Sequence, residues 1–289
     1  MSLAFANSAF DAAKIVVATV IDRRFVEFAG VMLHTLIQNG DADRADIVVL
    51  CDGLSVRDKS RLRQCSGSRA VQFLDLNVAT LRSIKGLKTN SNWSRAIYGR
   101  LLLPQLVSPN VEQILYLDAD TIVVDSLLPL LATDMGGLPV AAVGGMSETD
   151  SRRLNLPGTV KTLNSGVLLI DVKEWNARDL TRACLEIASD ETRPLRFFDQ
   201  DALNIALAGD FIPIDGRWNV GTESVAEKPA VFHFTHDKPN SVRCKHPAQK
   251  QYLTYRRATP WANDRLKTRW EKRLYRLAHS FRKLLRLQS

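Results

Sequence analysis

The sequence predicts an α/β sandwich with a mostly parallel central sheet, followed by a basic helical tail. Two observations carry this. Short β-branched runs alternate with segments of helical spacing along most of the chain, the pattern of strands joined by crossover helices. The composition then shifts near Pro260, which gives a body of residues 1–260 and a tail of residues 261–289.

The elements follow in order. Lys14–Ile21 reads as a buried strand, and Phe25–Gln38 has helical spacing through Phe25, Phe28, Met32, Leu33 and Leu36. Asp46–Cys51 is a second strand; Ser55–Gln64 is a polar helix with Ser55 as N-cap. Ala70–Leu74 is a strand, Ser94–Leu106 a helix stopped by Ser108-Pro109, and Glu112–Leu117 a strand running into Asp118. Val140–Val143 and Gly166–Ile170 are two further strands. Lys173–Ser189 reads as one amphipathic helix and Asp201–Leu207 as another. Gly144–Thr162 has no period and is long for a connection, as a lid or binding loop is.

Composition narrows the class. A chain of 289 residues buries a core without disulfides. The widely spaced Cys51, Cys65, Cys184 and Cys244 contain no CxxC pair and suit reduced thiols in a cytosolic protein. No apolar run approaches the roughly 18–20 residues that span a bilayer, and Ile15–Ile21 lacks the basic leader and cleavage site of a signal peptide. Nine Lys/Arg and two acidic residues lie in 261–289, so the tail holds +7 of the net +8 and the body is near neutral. A neutral body with a basic tail argues against nucleic acid and for a tail that docks.

The strongest local signal is a hydrophobic strand ending in Asp118-Ala119-Asp120. Residues i and i+2 of an extended chain face one side, so both carboxylates can converge on a cation at the carboxyl edge, where open α/β sheets bind ligands. Two carboxylates with open positions suit Mn²⁺ or Mg²⁺ on a diphosphate. The same Asp118-Ala119-Asp120-Thr121 also resembles the nucleophile motif of haloacid-dehalogenase-type phosphatases, with Asp210 and Asp215 as their distal acids. Against that stands its distance from the N-terminus.

Taken together, residues 14–261 resemble glycosyltransferase family 8. The resemblance rests on ordered motifs: Ile15-Val16-Val17-Ala18-Thr19, Ser94–Leu101, the run ending Asp118-Ala119-Asp120, Leu163–Ile170, Asp199–Asn204 and Val231–Phe234, then Thr259-Pro260-Trp261. It implies a GT-A, Rossmann-like nucleotide-sugar-binding fold and a retaining, metal-dependent enzyme that uses a UDP-sugar. Ala18 and Thr19 would then line the nucleotide pocket, with Phe25 stacking on uracil or serving the core. Arg100 would meet the diphosphate or hold the donor loop. His233 would join Asp118 and Asp120 on the metal, around the backbone of Ala119. Lys238 would neutralise the leaving diphosphate, and Asn164, Asp199 and Gln200 would face the sugar. Gln200 would lie near the anomeric carbon, although Asp199 and Asp201 also suit helix capping.

Here the chain departs from the family's His-x-x-Gly-x-x-Lys-Pro-Trp. His233-Phe234-Thr235-His236-Asp237-Lys238-Pro239-Asn240 is one residue shorter, lacks the Gly and ends in Asn. The stretch Ala142–Met146 holds no acidic residue of the kind that galactosyl-donor relatives carry, which leaves the sugar open. In Leu266–Leu287 apolar residues recur every three or four positions among Arg and Lys, a pattern suited to an anionic membrane surface. The expected acceptor is a glycan or glycolipid, and the expected place the inner face of a bacterial cytoplasmic membrane, peripherally bound. A nucleotide-sugar- or membrane-binding protein without catalysis is the non-enzymatic alternative.

Overall fold

The computed structural model describes residues 14–76, 84, 86–89, 94–145, 148–157 and 160–268. The predicted tail helix falls almost wholly outside them. Nine strands are present among them: β1 Ile15–Asp22, β2 Asp46–Asp52, β3 Val71–Asp75, β4 Gln113–Leu117, β5 Thr121–Val123, β6 Val140–Gly144, β7 Leu163–Asp171, β8 Ile212–Ile214 and β9 Val231–His233. The helices are α1 Val26–Asn39, α2 Val56–Cys65, α3 Gly99–Leu106, α4 Leu128–Leu131, α5 Glu148–Arg153, α6 Val172–Ala177, α7 Leu180–Ser189, α8 Phe198–Leu207 and α9 Gln249–Arg256.

Seven strands form one sheet in the order β3-β2-β1-β4-β7-β6-β8. All run parallel except β7, which is antiparallel to both β4 and β6. Both faces are covered, which is why the strands are apolar at nearly every position. Alternate residues of β4 divide between the two cores. Leu115 and Leu117 pack with α1 residues such as Met32 and Leu33, while Ile114 and Tyr116 pack with Leu101 of α3 and Leu203 of α8. Strands β5 and β9 pair separately beside the main sheet. The chain lays β2 and β3 on one side of β1, then returns to place β4 on the other. The crevice beyond the ends of β1 and β4 is therefore the topological switch point, where such sheets bind ligands.

Local chemistry explains the boundaries. Ser55 caps α2 reciprocally: its Oγ accepts from Asp58 N (3.1 Å) while Asp58 Oδ2 accepts from Ser55 N (3.0 Å), a cap worth about 1 kcal/mol. Two expectations change. Lys173–Ser189 is not one helix but α6 and α7, broken where Asp179 takes φ +50°. The break lets Trp175 Nε1 donate to Thr181 Oγ1 (2.9 Å), which in turn donates to Leu101 O (2.7 Å). The aperiodic stretch Gly144–Thr162 contains α5, too short to show a period. Elsewhere, Ser94–Leu106 opens as a 3-10 turn, Arg95–Tyr98, before α3, and the last body helix to be foreseen begins three residues early, at Phe198.

Candidate active site

The end of β4 builds the centre. The ladder with β7 continues past the strand, as Asp118 N donates to Gly166 O (2.8 Å). The chain turns at Asp118–Thr121, where Thr121 Oγ1 donates to Asp118 O (2.8 Å). It then enters β5, whose partner β9 places His233 opposite Thr121. One ligand atom each from Asp118, Asp120 and His233 lie within 4.8 Å of one another. His233 Nε2 is 3.4 Å from Asp118 Oδ2 and 3.5 Å from Asp120 Oδ1.

A chain of amides orients the imidazole. Gly166 N donates to Asn164 Oδ1 (2.9 Å), as does Asn219 Nδ2 (2.8 Å), which leaves Asn219 Oδ1 facing His233 Nδ1 at 2.8 Å. A proton on Nδ1 satisfies Asn219, which leaves Nε2, on the side of the two carboxylates, as the ring atom able to ligate. One imidazole nitrogen beside two carboxylates is a donor set that a divalent cation favours. The residues present thus fit a metal. Gly166 makes room for the ring, since a Cβ there would lie 2.2 Å from His233 Cε1.

Arg100 ties the carboxylates to the sugar side. It is 7% exposed and reaches Asp118 Oδ1 (3.0 Å), Asp199 Oδ2 (2.7 Å), Ser165 O (2.7 Å) and Ser165 Oγ (2.9 Å), over the Tyr116 ring. Tyr116 also donates to Asp118 Oδ1 (2.6 Å). Arg100 thus links the turn after β4 to β7 and to the first turn of α8. Burial pushes the Asp199 carboxyl up to about 6 against the pull of Arg100. Beyond the ion pair with Arg100 Nε, its Oδ2 has no hydrogen bond among the described residues. Gln200 Oε1 accepts from Ser165 N (3.1 Å) and Ser165 Oγ (3.3 Å).

Lys238 donates to Asp120 Oδ2, Phe234 O (2.9 Å) and Thr235 O (3.2 Å). Burial opposes ionisation of Asp120, but Lys238 and His233 outweigh it and hold that carboxyl well below the usual range. The shortened loop therefore still delivers Lys238 to the centre. Phe25 is half-buried, with Lys238 Nζ 5.8 Å from its ring centroid, so it belongs to both the core edge and the site. Ala18 pairs with Tyr116, Thr19 is buried with an unsatisfied hydroxyl, and Ala119 packs into the core. Among the described residues His236 bonds its neighbour Thr235, through the hydroxyl (2.9 Å).

Asp201 is not a sugar-facing group. Its carboxylate accepts from Arg196 N (2.7 Å) and Phe197 N (2.9 Å) and pairs with both terminal nitrogens of Arg153 on α5. It secures the start of α8, where Phe198 has φ +32° just before Asp199. Tyr116, Ser165 and Asn219 complete the network without having been read from the sequence. For Asn219, a polar residue between Trp218 and Val220 is the only signal, and it is weak. The phosphatase reading fails here: Asp118 is held by Tyr116 and Arg100, Asp210 pairs with Arg178 (3.3 Å), and Asp215 caps a turn through Arg217 N (2.8 Å).

An α/β sheet that gathers Asp118, Asp120 and His233 at its switch point suits a metal-assisted transferase of a nucleotide-activated group. The chain belongs to glycosyl transferase family 8, whose profile matches residues 16–242. It is a retaining glycosyltransferase, of a group that uses a nucleotide-sugar donor and a divalent metal. Among similar proteins, General stress protein A of Bacillus subtilis is 25% identical over 269 residues, 85% of this chain and 94% of its own. Lipopolysaccharide 1,2-glucosyltransferase of Escherichia coli is 24% identical, covering 86% of this chain and 79% of its own. Lipopolysaccharide 1,3-galactosyltransferase of Salmonella typhimurium is 25% identical, covering 88% and 81%. The fold is that of the galactosyltransferase LgtC in complex with donor and acceptor sugar analogs, with TM-score 0.75 at 22% identity over 86% of this chain and 99% of that one. Among the described residues, no helix is long and apolar enough to cross a membrane.

Proposed function

We propose that the protein transfers glucose or galactose from a UDP-sugar, with retention, to a lipopolysaccharide or other cell-surface glycan, in the cytoplasm at the inner face of a bacterial membrane. The observation that carries this is the Asp118/Asp120/His233 set, with the imidazole Nε2 within 3.4 Å of one carboxylate and 3.5 Å of the other. A bound Mn²⁺ or Mg²⁺ supplies neutralisation of the leaving nucleoside diphosphate. The hexose and the acceptor class are those named for the lipopolysaccharide transferases of Escherichia coli and Salmonella, and the basic tail supports a membrane-borne acceptor.

The chain's own groups divide the remaining work. The backbone of Ala18 and Thr19 and the ring of Phe25 take the nucleoside. Lys238, already beside Asp120, gains a second anionic partner when the diphosphate arrives. Asp199 Oδ2, a buried acceptor lacking a hydrogen bond, receives a donor hydroxyl. Asn164 holds His233 through Asn219 and turns its amide nitrogen to the sugar. Gln200 is an amide, a poor nucleophile beside the carboxylate of retaining glycosidases, and its Oε1 is taken by Ser165. Retention therefore proceeds by attack on the face that the diphosphate leaves. The C1–O bond to phosphate breaks, the bond to the acceptor oxygen forms, and the departing phosphate oxygen takes the acceptor's proton. Gln200 lines that face and limits the space for water.

A thermal-shift titration with UDP, with and without Mn²⁺, tests the reading, because a ligand of the folded state raises its melting temperature. A rise that needs both, and that Asp120→Ala abolishes, is expected. A rise only with Mg²⁺ and a phosphate mimic would restore the phosphatase. Binding without turnover of any UDP-hexose would leave a nucleotide-sugar-binding protein.

A further inference from the structure

We propose that the rim of the active site built from Arg23, Val56, Arg57, Val242, Arg243 and Lys245 is a contact surface for an anionic lipid bilayer, formed by the body itself. The proposal extends the membrane placement above and does not depend on the tail.

The six residues form two lobes at the edge that carries Asp118. Arg23 follows β1, and Val56 opens α2 just past the carboxyl end of β2. Arg23 Nε lies 3.7 Å from Asp58 Oδ2, so these two loops are adjacent. The second lobe follows Lys238. Asn240 Nδ2 donates to Glu27 Oε2 in the first turn of α1 (2.7 Å), and Lys238 stands over Phe25 at the head of that helix. Both lobes therefore flank the start of α1, beside the catalytic carboxylates.

Their chemistry is that of an interface. Val56 is 85% exposed and Val242 59%, and they are two of the four exposed large apolar residues described. Basic residues surround both. Arg57 adjoins Val56, with Arg23 on the neighbouring loop and Asp58 engaged in the α2 cap; Ser241–Lys250 contains three Lys/Arg and no acid. Arg57, Arg243 and Lys245 are exposed and make no ion pair among the described residues. Isolated exposed valines are ordinary. Two of them set among unpaired cations, on one edge of a body otherwise near neutral, match apolar insertion at the headgroup boundary with cations at lipid phosphates. The charge complementarity commits the surface to an anionic bilayer. The tail also departs from here, since Lys267 N donates to Asn240 O (2.7 Å) and Val242 N to Lys267 O (3.2 Å). A bilayer on this rim faces the site with its lipid-borne glycans.

The test is flotation of the full chain with vesicles of phosphatidylcholine alone and of phosphatidylcholine mixed with phosphatidylglycerol. Arg57→Glu/Arg243→Glu is compared with Lys14→Glu/Lys173→Glu, an equal change of charge on exposed residues at the opposite edge. The rim pair is expected to lower partitioning into the anionic vesicles at least about thirty-fold at low salt, with its UDP/Mn²⁺ thermal shift retained. The opposite pair is expected to bind as wild type. Equal losses in both pairs would reduce the effect to net charge and overturn the proposal, as would wild-type binding by the rim pair. Replacing the seven Lys/Arg of residues 269–289 with Gln separates the two membrane readings. Loss there with none in the rim pair leaves the tail alone as the anchor; the reverse leaves the rim alone.

Discussion

Replacing Gly166 with Ala should disable the metal centre while leaving the sheet in place. An alanine Cβ would stand 2.2 Å from His233 Cε1, 2.4 Å from Nδ1 and 3.1 Å from Asn164 Oδ1. Carbon atoms in contact settle near 3.5–4.0 Å, so the imidazole must withdraw by more than about 1 Å. That stretches its 2.8 Å bond to Asn219 beyond hydrogen-bonding range and moves Nε2 away from the two carboxylates. Loss of such an outer-shell partner costs about 10–100-fold in metal affinity, and a displacement of about 1 Å costs on the order of 100-fold in rate. The assay is Mn²⁺ titration by electron paramagnetic resonance in the presence of UDP, paired with a metal-free thermal melt. Gly216→Ala is the control, because a Cβ there meets nothing within 4 Å. Wild-type Mn²⁺ affinity in Gly166→Ala would falsify the assignment of His233 as a ligand held by the amide chain.

Further outcomes follow from the surrounding network. Arg153→Ala removes the charged partner of the fully buried Asp201 carboxylate and leaves the backbone donors of Arg196 and Phe197; the expected loss is about 3 kcal/mol, near the low end for breaking a buried pair, read from the urea midpoint. Asp199 has a raised carboxyl pKa, so the fold binds its proton more tightly than the unfolded chain does. Its contribution to stability is complete below the ordinary value and is lost as pH rises through about 6. Asp199→Asn should remove that slope between about pH 4 and 6, measured by denaturant melts across the range. The same group should set an acidic limb near 6 in kcat/KM, which falls as Asp199 is protonated and vanishes in Asp199→Asn. Ending the chain at Thr268 retains the Lys267 contacts; it should weaken flotation with anionic vesicles and spare turnover of a soluble acceptor.

Much of this was legible in the sequence because the signals were local or ordered. The β-branched runs identified most strands of the main sheet, and Asp118-Ala119-Asp120 at the end of one of them located the centre. His233 and Lys238 came through resemblance, and they meet Asp120 despite the shortened loop. What stayed hidden was cooperative. Tyr116 alternates into the second core as any strand residue would, and only the turn after β4 brings Asp118 onto its hydroxyl. Ser165 and Asn219 matter through partners distant in sequence, Arg100 and His233. Asp201 sits one residue from Gln200 in the same motif, yet its carboxylate turns back to the chain and to Arg153. Asp118 and Asp120 converge because the chain turns after β4 rather than continuing as a strand, whereas on the first turn of a helix adjacent Gln200 and Asp201 take separate tasks.

The antiparallel course of β7 and the late arrival of β9 set an order on biosynthesis. A chain halted after Ile214 contains every strand of the seven-stranded sheet, together with Asp118, Asp120, Asn164, Asp199 and Gln200. It lacks Asn219, His233 and Lys238, which arrive only after Ile214. The sheet is thus complete in the nascent polypeptide before the ion-holding set is. Capture of a cation therefore reports that translation has passed His233, and the same late segment brings Trp218, Val231, Phe234 and Tyr252 to the core around α1.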